Sequence, residues 1–442
     1  MLCIVLFVAA IIGIVLKYQS KKKEEDQTIT YPILERKGSS DTTTEFRDVK
    51  LKAKEYMAAI KENPTDAKSL LKLTALYIQE ARETGNFAYY DKAAMKCANT
   101  VLTYQPQNFG ALIFKSLIFM SQHHFADGLQ VAQQAQQVNP NNAYVYGLMV
   151  DGYVEMGHYD SAIINSDKMI SIRPDLTSYS RASYLREIFG NYKSSIEAMK
   201  MAVEAGGQGD EHTEWTRTQL GNLYEKTGNY PSADTMYRIS LAYRPNYPYA
   251  LAGLGRNAMA TGNYAAAIKY FQSADSTLTD SQIEEDLSDA YRMTGDNAKA
   301  DDLIKKVIDD LSKDSQASVD DGSIGHYSDR ELAYAYLKIK DNDKALDHAM
   351  LEYNRRPDNI DVNETVAWVL YNRGEYAKAV PYIKTALKTN SKNPTLLARA
   401  GLIYAKAGDK TTAKNLLQEV SANPSYIGFD LRNQSNASMQ TL

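Results

Sequence analysis

Cysteine is almost missing from this chain: Cys3 and Cys97 are the only two among 442 residues. One falls in an apolar N-terminal run and the other in a predicted helix, so the pattern offers no disulfide framework, zinc spacing or redox pair. A surplus of either charge is missing too. Fifty basic residues face 54 acidic ones, for a formal net charge of -4, which leaves no basic footprint for nucleic acid and excludes it as an expected partner. There is no H-E-x-x-H, no nucleophile elbow and no phosphate loop ending in Lys-Ser/Thr, and no cofactor is implied. Apart from Leu2–Leu16 the chain has no long apolar run. Tryptophan (2) and phenylalanine (10) are sparse, whereas tyrosine reaches 32, and most of these tyrosines fall at recurring positions that read first as packing sites.

What is present is a repeat. From Leu51 onward the sequence returns to itself roughly every 34 residues, a period that signals stacked supersecondary units. Gly157, Gly190, Gly228, Gly262 and Gly295 stand 33, 38, 34 and 33 residues apart, and Pro106, Pro140 and Pro174 are one 34-residue period apart. The clearest copy runs Leu220-Gly221, Tyr224, Gly228-Asn229-Tyr230, Ala233, Tyr237, Pro245. A large apolar residue beside a small one, a small residue midway in a second helix and a closing proline resemble the tetratricopeptide repeat. The resemblance covers about nine-tenths of the chain and implies an all-α solenoid that binds other molecules. Ser180–Glu187, Glu214-Trp215 and the stretch Tyr353–Pro357 through Trp368 are also similar to membrane-anchored, Bacteroidetes-like repeat proteins of unestablished activity. That likeness supplies a fold and no reaction.

The expected organisation has four parts. Residues 1–18 read as a membrane anchor: Leu2–Leu16 gives roughly 22 Å of helix, short for a hydrocarbon core of about 30 Å but extended by Met1, Lys17 and Tyr18. No small-residue cleavage site is followed by polar residues, which favours a retained span over a removed signal peptide. Lys17, Lys21, Lys22 and Lys23 follow it, so the positive-inside rule places the repeats in the cytoplasm. A basic segment upstream would make them periplasmic. Residues 19–45 read as a flexible polar linker, 46–427 as the solenoid, and 428–442 as a disordered tail in which Ser435→Leu is expected to be silent.

Within the solenoid, a lone helix from Phe46 to Asn63 reads as a half repeat, followed by a unit from Ala67 with about eight extra residues near Ala81–Tyr89. Further units begin near Phe109, Ala143, Leu176, Glu214, Pro248, Ser281, His326, Ile360 and Pro394, making ten full repeats. Two joints depart from the pattern. Ala205–Asp210 adds about four residues, and Leu311–Gly325 reads as an inserted Ser/Asp/Gly-rich loop.

Motif hits elsewhere have bland readings. Gly253-Leu254-Gly255-Arg256-Asn257-Ala258 matches a dinucleotide fingerprint only on paper, because it lies inside a first helix with no strand before it. His123-His124 sits at a helix turn and reads as solvated. The region Asp280–Asp321, with 13 acidic and 5 basic residues, lacks the alternation of a calcium loop and reads as a solvated acidic face.

Aligning the units gives the candidate site. First helices of such a solenoid line its concave side, and two positions seven apart share the inward stripe: Tyr144/Asp151, Thr177/Tyr184, Trp215/Asn222, Tyr249/Arg256, Gln282/Asp289, Tyr327/Tyr334 and Asp361/Trp368. Intermediate positions add Arg181, Glu187, Arg292 and Arg330, among others. Aromatic residues and arginine dominate binding energy at interfaces, so these fourteen form the expected partner-binding groove: Tyr144, Asp151, Arg181, Tyr184, Glu187, Trp215, Asn222, Tyr249, Arg256, Arg292, Tyr327, Arg330, Tyr334 and Trp368. The second full repeat offers Ile113, Phe114, Leu117 and Met120, a more apolar end. The expected function is a non-enzymatic, membrane-tethered scaffold gripping a protein or peptide segment. One rival is an envelope assembly regulator of the lipopolysaccharide type, although the chain ends without that subgroup's Cys-rich ribbon. Another is a carbohydrate-active enzyme using Glu187 or Asp289.

Overall fold

Small residues set how closely the helices approach. In the unit around residue 230 the ring of Tyr237 is clamped between Gly221 and Gly253, where any Cβ would overlap it, and Ala233 beside it is fully buried. Phe271 meets Gly255 in the same way one repeat later. In these units the large-small pair of the first helix is thus a socket for an aromatic residue of a second helix, and in the last pair Gly401 receives Leu417 in the same way.

The computed structural model describes residues 29–38, 43–320, 325–423 and 425–442, with side chains 317–320 left aside. Among these residues there are 22 helices and no strand. After a lone helix Thr44–Glu62, ten helix pairs follow, with first helices starting at Ala67, Phe109, Ala143, Leu176, Glu211, Pro248, Ser281, Asp329, Ile360 and Pro394. We number the pairs one to ten. The expected anchor in residues 1–18 lies outside the described residues. No helix among those described is long and apolar enough to cross a membrane.

Three expectations need correction. Part of the linker is built into the fold: Ile29, Tyr31, Ile33 and Leu34 pack on the first core, Tyr77 exchanges hydrogen bonds with the backbone of Tyr31, and Arg36 makes a buried fork with Glu80 (Nε–Oε2 3.0 Å). The inserted loop is mostly helix, since the second helix of pair seven runs from Asn297 to Asp320. The tail folds as well: Phe429–Thr441 is a helix that buries Leu431 and Ser435. Its polar composition hid a short apolar contact, Leu431 against Leu397 and Leu402. Ser435→Leu is therefore expected to lower thermal stability, by about 1–3 kcal/mol for overpacking. An unchanged melting temperature would return 428–442 to its reading as a loose tail.

The solenoid winds tightly enough to touch itself. The turn inside each of pairs one to four meets the loop that precedes the pair six units later, and the turn of pair five meets the loop before the final helix Phe429–Thr441. Gly85 lies against the Thr279 carbonyl, Gly157 against Asp358 and Gly190 against Asn390. His123 and His124 reach Tyr327 and Gly325, and the Tyr230 hydroxyl accepts from the Tyr426 amide at 2.6 Å. Six repeats therefore make one superhelical turn, and the second turn rests on the first along a continuous seam.

The turn glycines record this contact. Gly157 and Gly374 have nearly the same positive φ, 79° and 78°, a conformation that costs a non-glycine residue roughly 1–2 kcal/mol. Yet a Cβ on Gly157 would overlap the Asp358 backbone, while Gly374 faces open space. Gly374→Ala is expected to cost only the conformational penalty. Gly157→Ala should cost about 1–3 kcal/mol more, and equal losses in urea melts would deny the seam.

Candidate functional site

From pair three onward, charged side chains of neighbouring first helices meet across most repeat boundaries, because these helices stand side by side. Asp151 of pair three takes a bidentate fork from Arg181 of pair four, at 2.9 and 2.6 Å. Glu187 of pair four pairs with Lys226 of pair five. Glu225 accepts from Arg256 Nε at 3.1 Å, Asp289 takes both its bonds from Lys338 Nζ at 2.8 Å, and Glu364 accepts from Arg399 at 2.8 Å. Each rung joins an acid on one first helix to a base on the next. In a partly wet setting each contributes about 1 kcal/mol or less, so the ladder fixes the angle between repeats more than it adds stability.

This ladder absorbs much of the expected groove. Asp151, Arg181, Glu187 and Arg256 are rungs. Asn222 sits between two donors, the Tyr237 hydroxyl at 2.8 Å and Arg256 Nη2 at 2.7 Å. Arg292 is turned toward Asp301 (2.7 Å). Tyr334 accepts from Arg399 at 2.9 Å, Arg330 lies over the Tyr334 ring, and Trp368 stacks on Tyr371 with the Arg399 guanidinium 5.2 Å from its ring. Tyr334 and Trp368 thus converge on Arg399, which was not among the expected groove residues. Tyr327 belongs to the seam: its amide donates to the Gln122 carbonyl and Arg355 covers its ring. Tyr249 packs edge-on against Tyr247.

Two aromatic residues take no part in the ladder. Tyr184 is 40% exposed and makes no hydrogen bond among the described residues. Burial nevertheless holds its hydroxyl pKa well above the ordinary value, with Glu155, Asp361 and Glu187 adding to it. Its charged neighbours come from pairs three and four and, one superhelical turn on, from pair nine, so it faces the inside of the superhelix. Trp215 is half-buried, packed on one side against the core cluster of Ala233, Tyr237 and Tyr247, with the Arg82 guanidinium 5.9 Å over its ring.

Tyr144 opens onto a cavity of about 860 Å³, lined also by Phe87, Phe114, Leu117, Arg82, Asp175 and His212. The apolar end expected in the second repeat is therefore a wall of this cavity. A second cavity, about 390 Å³, lies between Arg256 and Asp286 on one turn and Arg399 and Tyr426 on the next. The Asp280–Asp321 stretch is only partly a solvated face: Glu284 and Glu285 are buried, and burial lifts Glu285 to about 7 and Asp286 to about 6. Among the described residues no group of three or more His, Cys, Asp or Glu is placed to hold a metal ion.

The histidine pair also needs correction. His124 is 3% exposed, its ring stacked on Tyr327 at 3.9 Å, and the His123 ring lies 4.1 Å from that of His326. The sequence placed them at a turn correctly but could not reveal that another turn of the superhelix covers it.

With this geometry in view, the tetratricopeptide-repeat family matches residues 218–281 and 367–426. The repeats are tetratricopeptide repeats. Similar solved structures include a tetratricopeptide repeat protein from Parabacteroides merdae (15% identity, 57% of this chain and 95% of that one, TM-score 0.44). The human IFIT1 dimer with m7Gppp-AAAA is 14% identical over 74% of this chain and 72% of its own, with a TM-score of 0.47. The APC/C hetero-tetramer Cut9-Hcn1 is 15% identical over 80% of this chain and 66% of its own, with a TM-score of 0.43. Likenesses at this level say nothing of what this chain binds. Tetratricopeptide arrays serve in general as interaction scaffolds with long inner surfaces.

Proposed function

We propose that this solenoid is a non-enzymatic scaffold that holds a partner protein segment in its lumen, entering at the end lined by pairs one to five. The observation that carries the reading is the 860 Å³ cavity, lined by residues of pairs one to five, the same pairs that present Tyr184 and the accessible part of Trp215. Large pockets with aromatic walls and a few convergent polar groups are the usual place for a ligand, and aromatic anchors supply most of the energy at such interfaces. The carboxylates raised by the enzyme alternative, Glu187 and Asp289, are each engaged by a lysine of the ladder. Tethering through Leu2–Leu16 is part of the proposal on sequence grounds, with the positive-inside rule favouring a cytoplasmic solenoid; alkaline extraction of the full chain should leave it in the membrane fraction.

Truncating Arg256 or Tyr334 breaks inter-repeat contacts as well as removing lumen surface, so the clean test uses the residues outside the ladder. Tyr184→Ala with Trp215→Ala is expected to abolish crosslinked partner capture in a chain that stays folded, the Trp215 change lowering the melting temperature through lost packing on the cluster of Tyr237 and Tyr247. Two anchors of about 2 kcal/mol each correspond to roughly a thousandfold in affinity. Folded double variants that keep the partner would remove the lumen from consideration.

A further inference from the structure

The wall of the large cavity holds a carboxyl group that the rest of the fold leaves without a counter-charge. Asp91 is 2% exposed and lines the cavity beside Phe87, Phe114 and Leu117. Its Oδ2 accepts one hydrogen bond, from the Ser121 hydroxyl at 2.9 Å. Among the described residues no lysine, arginine or histidine reaches it. The other acids around the cavity are provided for: Glu211 has Arg82, Glu45 has Arg36 and Arg244, and Asp175 has Arg173. Asp210 stands at the start of the helix Glu211–Lys226, where the helix dipole favours an anion. Burial without a cation pushes the Asp91 carboxyl up to about 7.

A bare carboxyl on an apolar wall is a costly choice for a spacer, since leucine or asparagine would fill the same space without the desolvation penalty. Its chemistry suits one class of group. An alkylammonium supplies the missing charge and donates to the carboxylate, its methylenes lie along Leu117, and phenylalanine rings attract cations. We propose that the Asp91 cavity is a recognition site for an aliphatic primary ammonium, presented by the partner segment as a lysine side chain. This deepens the scaffold reading and rests on it for the identity of the bearer, while the site itself is testable without any partner.

The probe is n-hexylammonium, titrated calorimetrically into the full chain in detergent at pH 8, with n-hexanol as its neutral isostere. Wild type is expected to bind hexylammonium at least about tenfold more tightly than hexanol. Asp91→Asn, which keeps an acceptor for Ser121, should remove that preference and remain folded by melting. Binding should weaken as pH falls from 8 to 6, because the ammonium requires the ionised carboxyl, and buffers of different ionisation enthalpy should report proton release on binding. Equal binding of the amine to wild type and Asp91→Asn, or no binding to wild type, overturns the site. A chain that captures its protein partner yet ignores hexylammonium refutes this inference and leaves the lumen reading standing. One that binds hexylammonium while Tyr184→Ala/Trp215→Ala retains capture refutes the lumen reading alone.

Discussion

Replacing Arg356 with alanine is expected to cost about 3–5 kcal/mol, the usual loss when one partner of a buried ion pair is deleted and the other is left behind. Arg356 is 6% exposed and bonds Glu352, itself 2% exposed, at 2.5 Å. It also pairs with Glu155, 201 residues away, and lays its guanidinium 4.5 Å over the Phe125 ring. Glu155 and Phe125 belong to the first superhelical turn and Arg356 to the second, so the loss should appear as loosening between turns. Cross-linking yield between cysteines placed at Asp160 and Asp358 would report this directly. A variant that melts like wild type and cross-links fully would show the seam to be incidental.

The second large effect is expected from pH. His124 and His326 are held neutral by burial, His326 well below the ordinary value of 6.5 and further lowered by His123 and His124. The His124 imidazole donates to the Gly325 carbonyl and His123 donates to that of Tyr327. Of the charged groups nearby, Asp127 favours protonation of His124 from 3.7 Å, and Arg355 opposes it. Asp329 is already engaged by His348 and Arg355, and Arg356 by Glu155 and Glu352. A folded-state histidine pKa below the unfolded one contributes stability that is complete above about 6.5 and is lost as pH falls. The seam should therefore weaken between about pH 6.5 and 5. Asp91, Glu285 and Asp286 run the other way: their raised pKa values mean that acidification relieves a burial cost. The difference between wild type and His124→Gln/His326→Gln separates the two, and the double variant should lose the acid-side fall in cross-linking. An identical pH profile for both proteins would exonerate the histidines.

Much of the fold was readable because each repeat carries its own instructions. Leu220-Gly221 and Tyr237 are complementary parts of one joint, and seven of the nine later repeat starts, from Phe109 to Pro394, coincide with the observed helix starts. The two that moved, Glu211 and Asp329, follow the irregular joints. The candidate site was only half readable. Periodicity places a residue on the inward stripe, and it did so for Tyr184 and Trp215, but it cannot say whether a neighbour one repeat away consumes it. Arg256 looked free because Glu225 lies 31 positions back. The seam left a different signal, glycine and histidine at equivalent turns, whose meaning needs the number of repeats per superhelical turn. Asp91 left a fainter one, a carboxylate at a second-helix position of the first pair among Tyr90, Ala93 and Ala94, all buried.

Solenoids are usually free to gain or lose modules, since each repeat knows only its neighbours. Here the turn of every early pair is also fitted to a loop six pairs ahead, as the teeth of two gears share a pitch. Duplicating one repeat between pairs two and seven would throw these distant matches out of phase at once, setting Gly157 against the wrong loop and Arg356 away from Glu155. Copy number in the middle of this chain is consequently constrained, and variation in length belongs at its ends.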